Sequence, residues 1–413
     1  MPTSAPAAPG VSVRVGAGWH ADRVVARPGG ARGWRFLATV WAVWQLALLL
    51  LGWAGARAWR PPDRVPTSTL VRGPLGSWAH WDGVHYLAIA LEGYTRAHSK
   101  NAAFFPLYPL LTRLLALPLP NPALAGLVVS LPSLLVALLF VYRVAEDGWG
   151  AASARRVVLC LVCFPTAFFF TAVYSESLFL ALSAGCLWAL RVRRDFILAC
   201  LLAGLASATR GVGLALLLPL GFAWLSNARG LRWRGLALGF APLGLVVYMA
   251  YLWRRFGDPL LFARVQSAQW DRHLTRPDLT LASAWAQGWK GAGYLLHPLS
   301  LLQTRTLHDS LYAGDAFALA TLAFAFVMLV LGWRLLPLEL SLYTLALLLP
   351  GLLVTPPNHP LMSFPRFVLV ALPLFISLGA LLTPRWACRV WLLLSGAAGA
   401  YLCALFASWR WVA

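Results

Sequence analysis

Pro122-Ala-Leu-Ala-Gly-Leu-Val-Val-Ser-Leu-Pro-Ser-Leu-Leu-Val-Ala-Leu-Leu-Phe-Val-Tyr142 runs from residue 122 to residue 142 without one charged side chain. An apolar run of about 20 residues is the length that crosses a bilayer core as a helix. Comparable runs recur near 36–56, 157–173, 176–190, 195–209, 211–226, 235–253, 314–333, 337–354, 367–383 and 389–408. Composition agrees, with 60% hydrophobic and 12% charged residues. Soluble chains average about a quarter charged. The fold class expected is all-α, a polytopic membrane protein of about 11 (10–13) transmembrane helices. The Leu107–Leu117 run is too short to span and reads as re-entrant or as a short twelfth span. The 195–226 region reads as a hairpin or as one bent helix.

The balance of 34 basic against 14 acidic residues gives a net charge of +20. Lysine occurs only at Lys100 and Lys290. The arginines sit in short connections between apolar runs, as membrane orientation requires, so no nucleic-acid partner is expected. Placing Arg143/Arg155/Arg156, Arg191/Arg193/Arg194, Arg229/Arg232/Arg234, Arg334 and Arg385/Arg389 in the cytoplasm puts the loops 57–121, 254–313 and Asn358–Phe364 outside. Residues 1–35, rich in Pro, Ala, Gly and Arg, read as a disordered cytoplasmic tail. Residues 36–413 read as one transmembrane domain, and no cleavable signal peptide is evident because the first apolar run starts near Phe36. Heavy Ala, Leu, Arg, Gly and Trp usage suggests a bacterial cell-envelope protein. The six cysteines, including the Cys160/Cys163 pair inside an apolar run, read as small buried residues and not as a zinc or redox site.

Against this apolar background, Ser77-Trp-Ala-His-Trp-Asp-Gly-Val-His-Tyr-Leu-Ala-Ile-Ala-Leu-Glu-Gly-Tyr94 is a polar and aromatic island. Asp82 opens a predicted helix whose apolar stripe is Val84, Leu87, Ala88 and Leu91, with Gly93 as its stop. Spacing supports two roles for Asp82 equally: a helix cap, and a general base walled by Trp81 and Tyr86, with His85 and His80 in reach. Phe104-Phe-Pro-Leu-Tyr-Pro109 offers Phe105 and Tyr108 to a lipid tail or sugar face, or to an interface belt. Glu176, near Tyr174, lies where one run turns into the next, and Arg210 falls close to an outer turn; the two suit a site or a structural bridge. Arg366 stands without another charge in the Ser363–Phe367 turn and suits a phosphate, or headgroup snorkelling. Arg254, Arg255, Asp258, Gln266, Gln269 and Trp270 read as solvated loop polars. No P-loop, GxGxxG, HExxH or DxD motif is present, so no cofactor is expected, with a divalent metal left open.

Trp81-Asp82, His85–Ala90, Gly93-Tyr94 and Ala103–Pro109 together resemble the first outer loop of the PIG-V-like mannosyltransferases, GPI mannosyltransferase 2-type members of the GT-C membrane glycosyltransferases. Phe164–Phe179 resembles that family's next signature, Ala208-Thr-Arg-Gly211 a shorter one, and Phe256–Pro259 and Pro365–Phe367 weaker ones. After Arg210 the family's usual Ser/Asn is absent. The resemblance implies a GT-C-like fold with amphipathic or re-entrant helices in the outer loops. It also implies an inverting transfer of a hexose, mannose first, from a polyprenyl-phosphate donor to a hydroxyl of a glycan or glycolipid acceptor on the extracytoplasmic face. Asp82 would be the base, with Arg366 and Arg210 on the phosphate, Glu176 and His85 as positioning groups, and Trp81, Tyr86, Phe105, Tyr108 and Tyr174 lining the substrate. The alternatives are a transporter or flippase for a lipid-linked sugar and a structural partner of an enzyme. A transporter predicts mid-helix charges and two similar halves; neither pattern is present. A catalytic site predicts that Asp82, Glu176, Arg210 and Arg366 face one outer cavity that opens laterally to lipid.

Overall fold

The computed structural model describes residues 31–63, 70, 73, 75–226, 233–304 and 306–412. The tail expected over 1–35 lies outside them up to residue 30, as do Arg229 and Arg232; residues 31–35 are already helical. Among the described residues the regular secondary structure is helical apart from two two-residue strands. The helices used below are α1 (Ala31–Ala58), α2 (Asp82–Glu92), α3 (Leu107–Ala116), α4 (Pro122–Val162), α5 (Glu176–Arg191), α6 (Phe196–Thr209), α7 (Leu217–Ser226), α8 (Leu243–Phe256), α9 (Leu261–Trp270), α10 (Pro277–Leu296), α11 (Leu307–Gly332), α12 (Leu338–Leu348), α13 (Phe364–Leu369), α14 (Leu372–Leu381) and α15 (Arg385–Ala407).

Among the described residues, four helices are long and apolar enough to cross a membrane: Gly33–Ala58, Pro122–Val162, Leu307–Gly332 and Arg385–Ala407. Arg234–Phe240 with Leu243–Phe256, bent by 41°, would add a fifth. The count of about 11 is therefore not reached by unbroken helices. The reason is that hydropathy registers apolar length but not helix breaks. The run at 157–173 stops at Val162, and 3-10 structure follows over Ala167–Phe170. The run at 337–354 restarts at Pro350, and the run at 367–383 breaks before Leu372. The run at 122–142 instead continues into the next one, with a kink at Gly150 (φ 79°, ψ 164°) in place of a loop. α3, with 10 residues, is about 15 Å long, too short to span.

The chain breaks at Arg210 in extended conformation (φ −154°, ψ 138°), which resolves 195–226 as a hairpin and not one bent helix. Gly213 folds so tightly onto α6 that a Cβ there would lie 2.6 Å from the Ala206 carbonyl carbon. α4, α5 and α6 pack in sequence, α14 closes on α4, and α10 lies against α11. Short strands β1 (His273–Leu274) and β2 (Val354–Thr355) pair antiparallel, His273 opposite Thr355, and tie the 254–313 loop to the 354–363 turn.

α2 begins at Asp82 and ends before Gly93 (φ 74°), as the sequence indicates, but its buried face is not the predicted stripe. Gly83, Tyr86, Leu87 and Ala90 are buried, whereas Leu91 is exposed. On a lipid-covered protein an apolar side chain is comfortable facing outward. Apolarity therefore does not reveal which face meets protein.

Candidate active site

Four charged side chains from four separate segments meet. Asp82 opens α2, Glu176 opens α5, Arg210 follows the end of α6, and Arg366 lies in α13. Arg366 Nη1 donates to Asp82 Oδ2 at 2.5 Å, and its Nε donates to Glu176 Oε1 at 2.6 Å. Arg366 Nη2 and Arg210 Nη1 each lie 2.6 Å from the same Oε1. Glu176 is fully buried and Arg366 nearly so, while Asp82 and Arg210 keep 17% and 14% of their side chains exposed. Only those two open to the outside. Phe169 and Tyr174 flank the Arg366 guanidinium at 5.2 and 4.8 Å, and Phe367 lies 5.5 Å from that of Arg210.

Such a cluster is expensive. Each buried ion forfeits several kcal/mol of hydration, and well-packed apolar residues often serve stability as well. Ionised groups gathered at this cost mark a functional-site candidate.

The helix-cap role is not what Asp82 performs. Trp81 is the N-cap of α2, with no side-chain cap bond, and the Asp82 carboxylate turns to Arg366. Trp81 sets that direction from a left-handed backbone (φ 55°), a conformation that costs about 1–3 kcal/mol in a non-glycine residue. Its ring is braced edge-on by Trp409 and Trp411, at 5.7 and 5.1 Å. The Tyr174 hydroxyl then fixes the turn, accepting from the Asp82 amide at 3.2 Å and donating to the His80 carbonyl at 3.1 Å. On the other side, Ser363 (φ 69°) starts α13, and its carbonyl accepts from the Arg366 amide at 3.1 Å.

Burial alone would raise the pKa of Asp82. The charge and hydrogen bond of Arg366, joined by His85 and Arg272, reverse this and hold it below the ordinary 3.8. His85 Nδ1 is 2.8 Å from Asn101 Oδ1; with Nδ1–H donating, Nε2 of the neutral ring is left as an acceptor. Burial pulls His85 below its ordinary 6.5, against the opposing pull of Asp82 and Asn101. Asp82 is thus ionised and His85 neutral at neutral pH. Protonating His85 removes an acceptor and adds a cation beside Asp82, lowering its basicity. Activity should therefore fall with a single proton below pH 6.5, and His85→Gln should remove that limb. An acid limb that persists in His85→Gln would assign the titration elsewhere.

The remaining predicted contacts divide into two groups. His85 is stacked on Phe104 at 4.9 Å and edge-on to Trp270 at 5.3 Å, where the 57–121 and 254–313 loops meet through Gln269 Nε2 and Ser99 Oγ at 2.8 Å. Tyr86, Tyr108 and Tyr174 form the wall behind the carboxylates. Tyr86 pairs with Ser175 at 2.8 Å, and Tyr108 donates to Gly126 O at 3.0 Å. Phe105 packs on Tyr248 and Phe262. In this structure these four residues are buried supports. His80, named above as a possible partner of Asp82, points away instead: its Nδ1 lies 3.0 Å from Phe406 O and its ring stacks on Trp409.

The sequence reading missed Arg272, Asn101, Ser363 and the Trp409/Trp411 brace. Arg272 acts electrostatically on Asp82, and its Nη2 donates to Met362 O and Ser363 Oγ at 3.2 and 3.3 Å. The one signal available was Trp270-Asp-Arg272, which repeats the aromatic–carboxylate adjacency of Trp81-Asp82. Among the described residues, no three His, Cys, Asp or Glu side chains converge on one point.

Residues 56–228 match the family model described as Mannosyltransferase (PIG-V). Asp82, Glu176 and Arg210 lie inside the matched segment; Arg272 and Arg366 lie beyond it. GPI mannosyltransferase 2 of Drosophila pseudoobscura pseudoobscura is 30% identical over 228 residues, covering 48% of this chain and 49% of the relative. GPI alpha-1,6-mannosyltransferase 2 of Homo sapiens is 47% identical over 58 residues, 13% of this chain and 11% of the relative. The chain spans no more than about half the length of these curated relatives. Among solved structures, the Archaeoglobus fulgidus oligosaccharyltransferase aligns with a TM-score of 0.43 at 13% identity, covering 89% of this chain and 53% of that one.

Proposed function

We propose that the protein is an integral-membrane, inverting glycosyltransferase of GT-C type that moves a hexose, mannose first, from a polyprenyl-phosphate donor to an acceptor hydroxyl on the extracytoplasmic face. The observation that carries this reading is the Asp82 carboxylate: partly open, relieved of capping, and aimed by Arg366 and a strained turn. The PIG-V match over the segment that holds Asp82 supports the same chemistry.

The acceptor oxygen attacks the anomeric carbon as the bond from that carbon to the phosphate oxygen breaks. The bonding pair leaves with the phosphate, and the hydroxyl proton passes to Asp82. A base of low pKa suffices when the proton moves late, after the attacking oxygen has become acidic. Surrounding guanidiniums stabilise the charge gathering on the departing lipid phosphate.

The topology has its own support. α5 runs from Glu176 to the Arg191–Arg194 turn, and α6 returns to Arg210. With 16 residues in α5, the basic turn lies about 24 Å from the cluster. The basic turn and the cluster thus lie at opposite ends of the α5–α6 pair, an arrangement that supports a cytoplasmic turn and an outer active site.

The test is incubation of purified full-length protein with polyprenyl-phosphate-mannose and candidate glycan or glycolipid acceptors, read by mass spectrometry. An acceptor gaining one hexose with inverted anomeric configuration is expected. Translocation of the lipid-linked sugar without any transfer product would replace this reading with a flippase.

A further inference from the structure

The charges at the site do not balance. Asp82 and Glu176 supply two carboxylates, against the guanidiniums of Arg210, Arg272 and Arg366. Arg366 commits all three of its nitrogens to the two carboxylates, and Arg210 pairs with Glu176. Arg272 differs. Its hydrogen bonds among the described residues run through Nη2 to two neutral acceptors, Met362 O and Ser363 Oγ. Its Nε and Nη1 have neither a hydrogen bond nor an ion pair there. Burial, then the like charges of Arg366 and Arg210, with Asp82 opposing, pull its pKa down to about 10.

The side chain is nonetheless held in place. Asp271 ends α9 in left-handed conformation, and the Arg272 amide donates to Gln266 O at 2.8 Å. The β1–β2 ladder begins at the next residue. A guanidinium fixed at its base, with Nε–H and Nη1–H left to donate while Nη2 is held by Met362 O and Ser363 Oγ, can give single charge-assisted hydrogen bonds to the oxygens of a phosphate.

We propose that Arg272 is the cation that binds the phosphate of the lipid-phosphate sugar; this rests on the transferase reading above. The surplus of one positive charge matches the single negative charge of a phosphodiester. When the glycosidic bond breaks, the leaving lipid phosphate becomes a monoester with about −1.5 to −2 charge. Arg272 therefore gains attraction as the reaction proceeds, and stabilises the leaving group more than the bound donor. Arg366, locked between two carboxylates, positions Asp82.

The experiment measures binding of polyprenyl phosphate and of uncharged polyprenol to the full-length protein in nanodiscs. Wild type should prefer the phosphate. Arg272→Met should weaken polyprenyl phosphate about tenfold or more and leave polyprenol unchanged, with Arg272→Lys retaining part of the affinity. Arg276→Met, which removes an exposed arginine paired with Asp278, should bind polyprenyl phosphate as wild type does.

Unchanged phosphate affinity in Arg272→Met overturns the proposal, and if Asp82→Asn is inactive the transferase reading still stands. An equal loss in Arg276→Met makes the effect one of general positive charge and overturns the assignment. Displacement of polyprenyl phosphate by phosphatidylglycerol at similar concentration makes this a general anionic-lipid site and overturns the assignment. A wild type that binds phosphate and polyprenol alike sinks both this assignment and the donor class.

Discussion

Asp82→Asn should yield a folded protein whose transfer rate is lower by about 10²–10⁴. The amide keeps the volume of the carboxylate and an acceptor oxygen for Arg366 Nη1, and Arg366 retains Glu176 through Nε and Nη2. The rest of the cluster therefore survives while the base is lost. Single-turnover transfer from polyprenyl-phosphate-mannose, measured beside thermal unfolding, separates the two effects. A folded Asp82→Asn protein with wild-type turnover would sink the base assignment.

Arg366→Met should act first on stability. It leaves Asp82, 17% exposed, without its ion-pair partner and Glu176 with Arg210 alone. Removing one partner of a buried pair costs about 3–5 kcal/mol, a large share of the about 5–15 kcal/mol that holds a protein folded. Unfolding in detergent should shift accordingly. The double variant Arg366→Met with Asp82→Asn should regain part of that stability without regaining activity, because the stranded charge is gone while the base is still missing. Equal stability of Arg366→Met and wild type would show that the cluster does not support the fold.

Much of this site was legible in the chain. Asp82, Glu176, Arg210 and Arg366 stand out because a charge in so apolar a sequence needs a reason, and the four side chains meet in one ion-pair cluster. Their division of labour was not legible. An isolated arginine in a turn suggests a phosphate ligand, yet Arg366 is taken by two carboxylates that lie 190 and 284 positions away. Arg272 was hidden for the opposite reason: it sits in a polar loop, where one more charge attracts no notice. Helix breaks at Val162 and Pro350, which hydropathy does not register, interrupt runs that read as single spans. The buried face of α2 was obscured because lipid and protein interior accept the same side chains.

The link between Asp82 and Arg366 also has a consequence in time. At about 5–20 residues per second, the ribosome needs on the order of tens of seconds to reach Arg366 after it has made Asp82. Until then the carboxylate has no guanidinium from α13, and the Trp409 and Trp411 rings that brace Trp81 come later still. A nascent chain therefore holds Asp82 without the partner that aims it. The cluster is completed late, when the last helices dock, so a stalled or clipped chain would carry apolar helices without an assembled cluster.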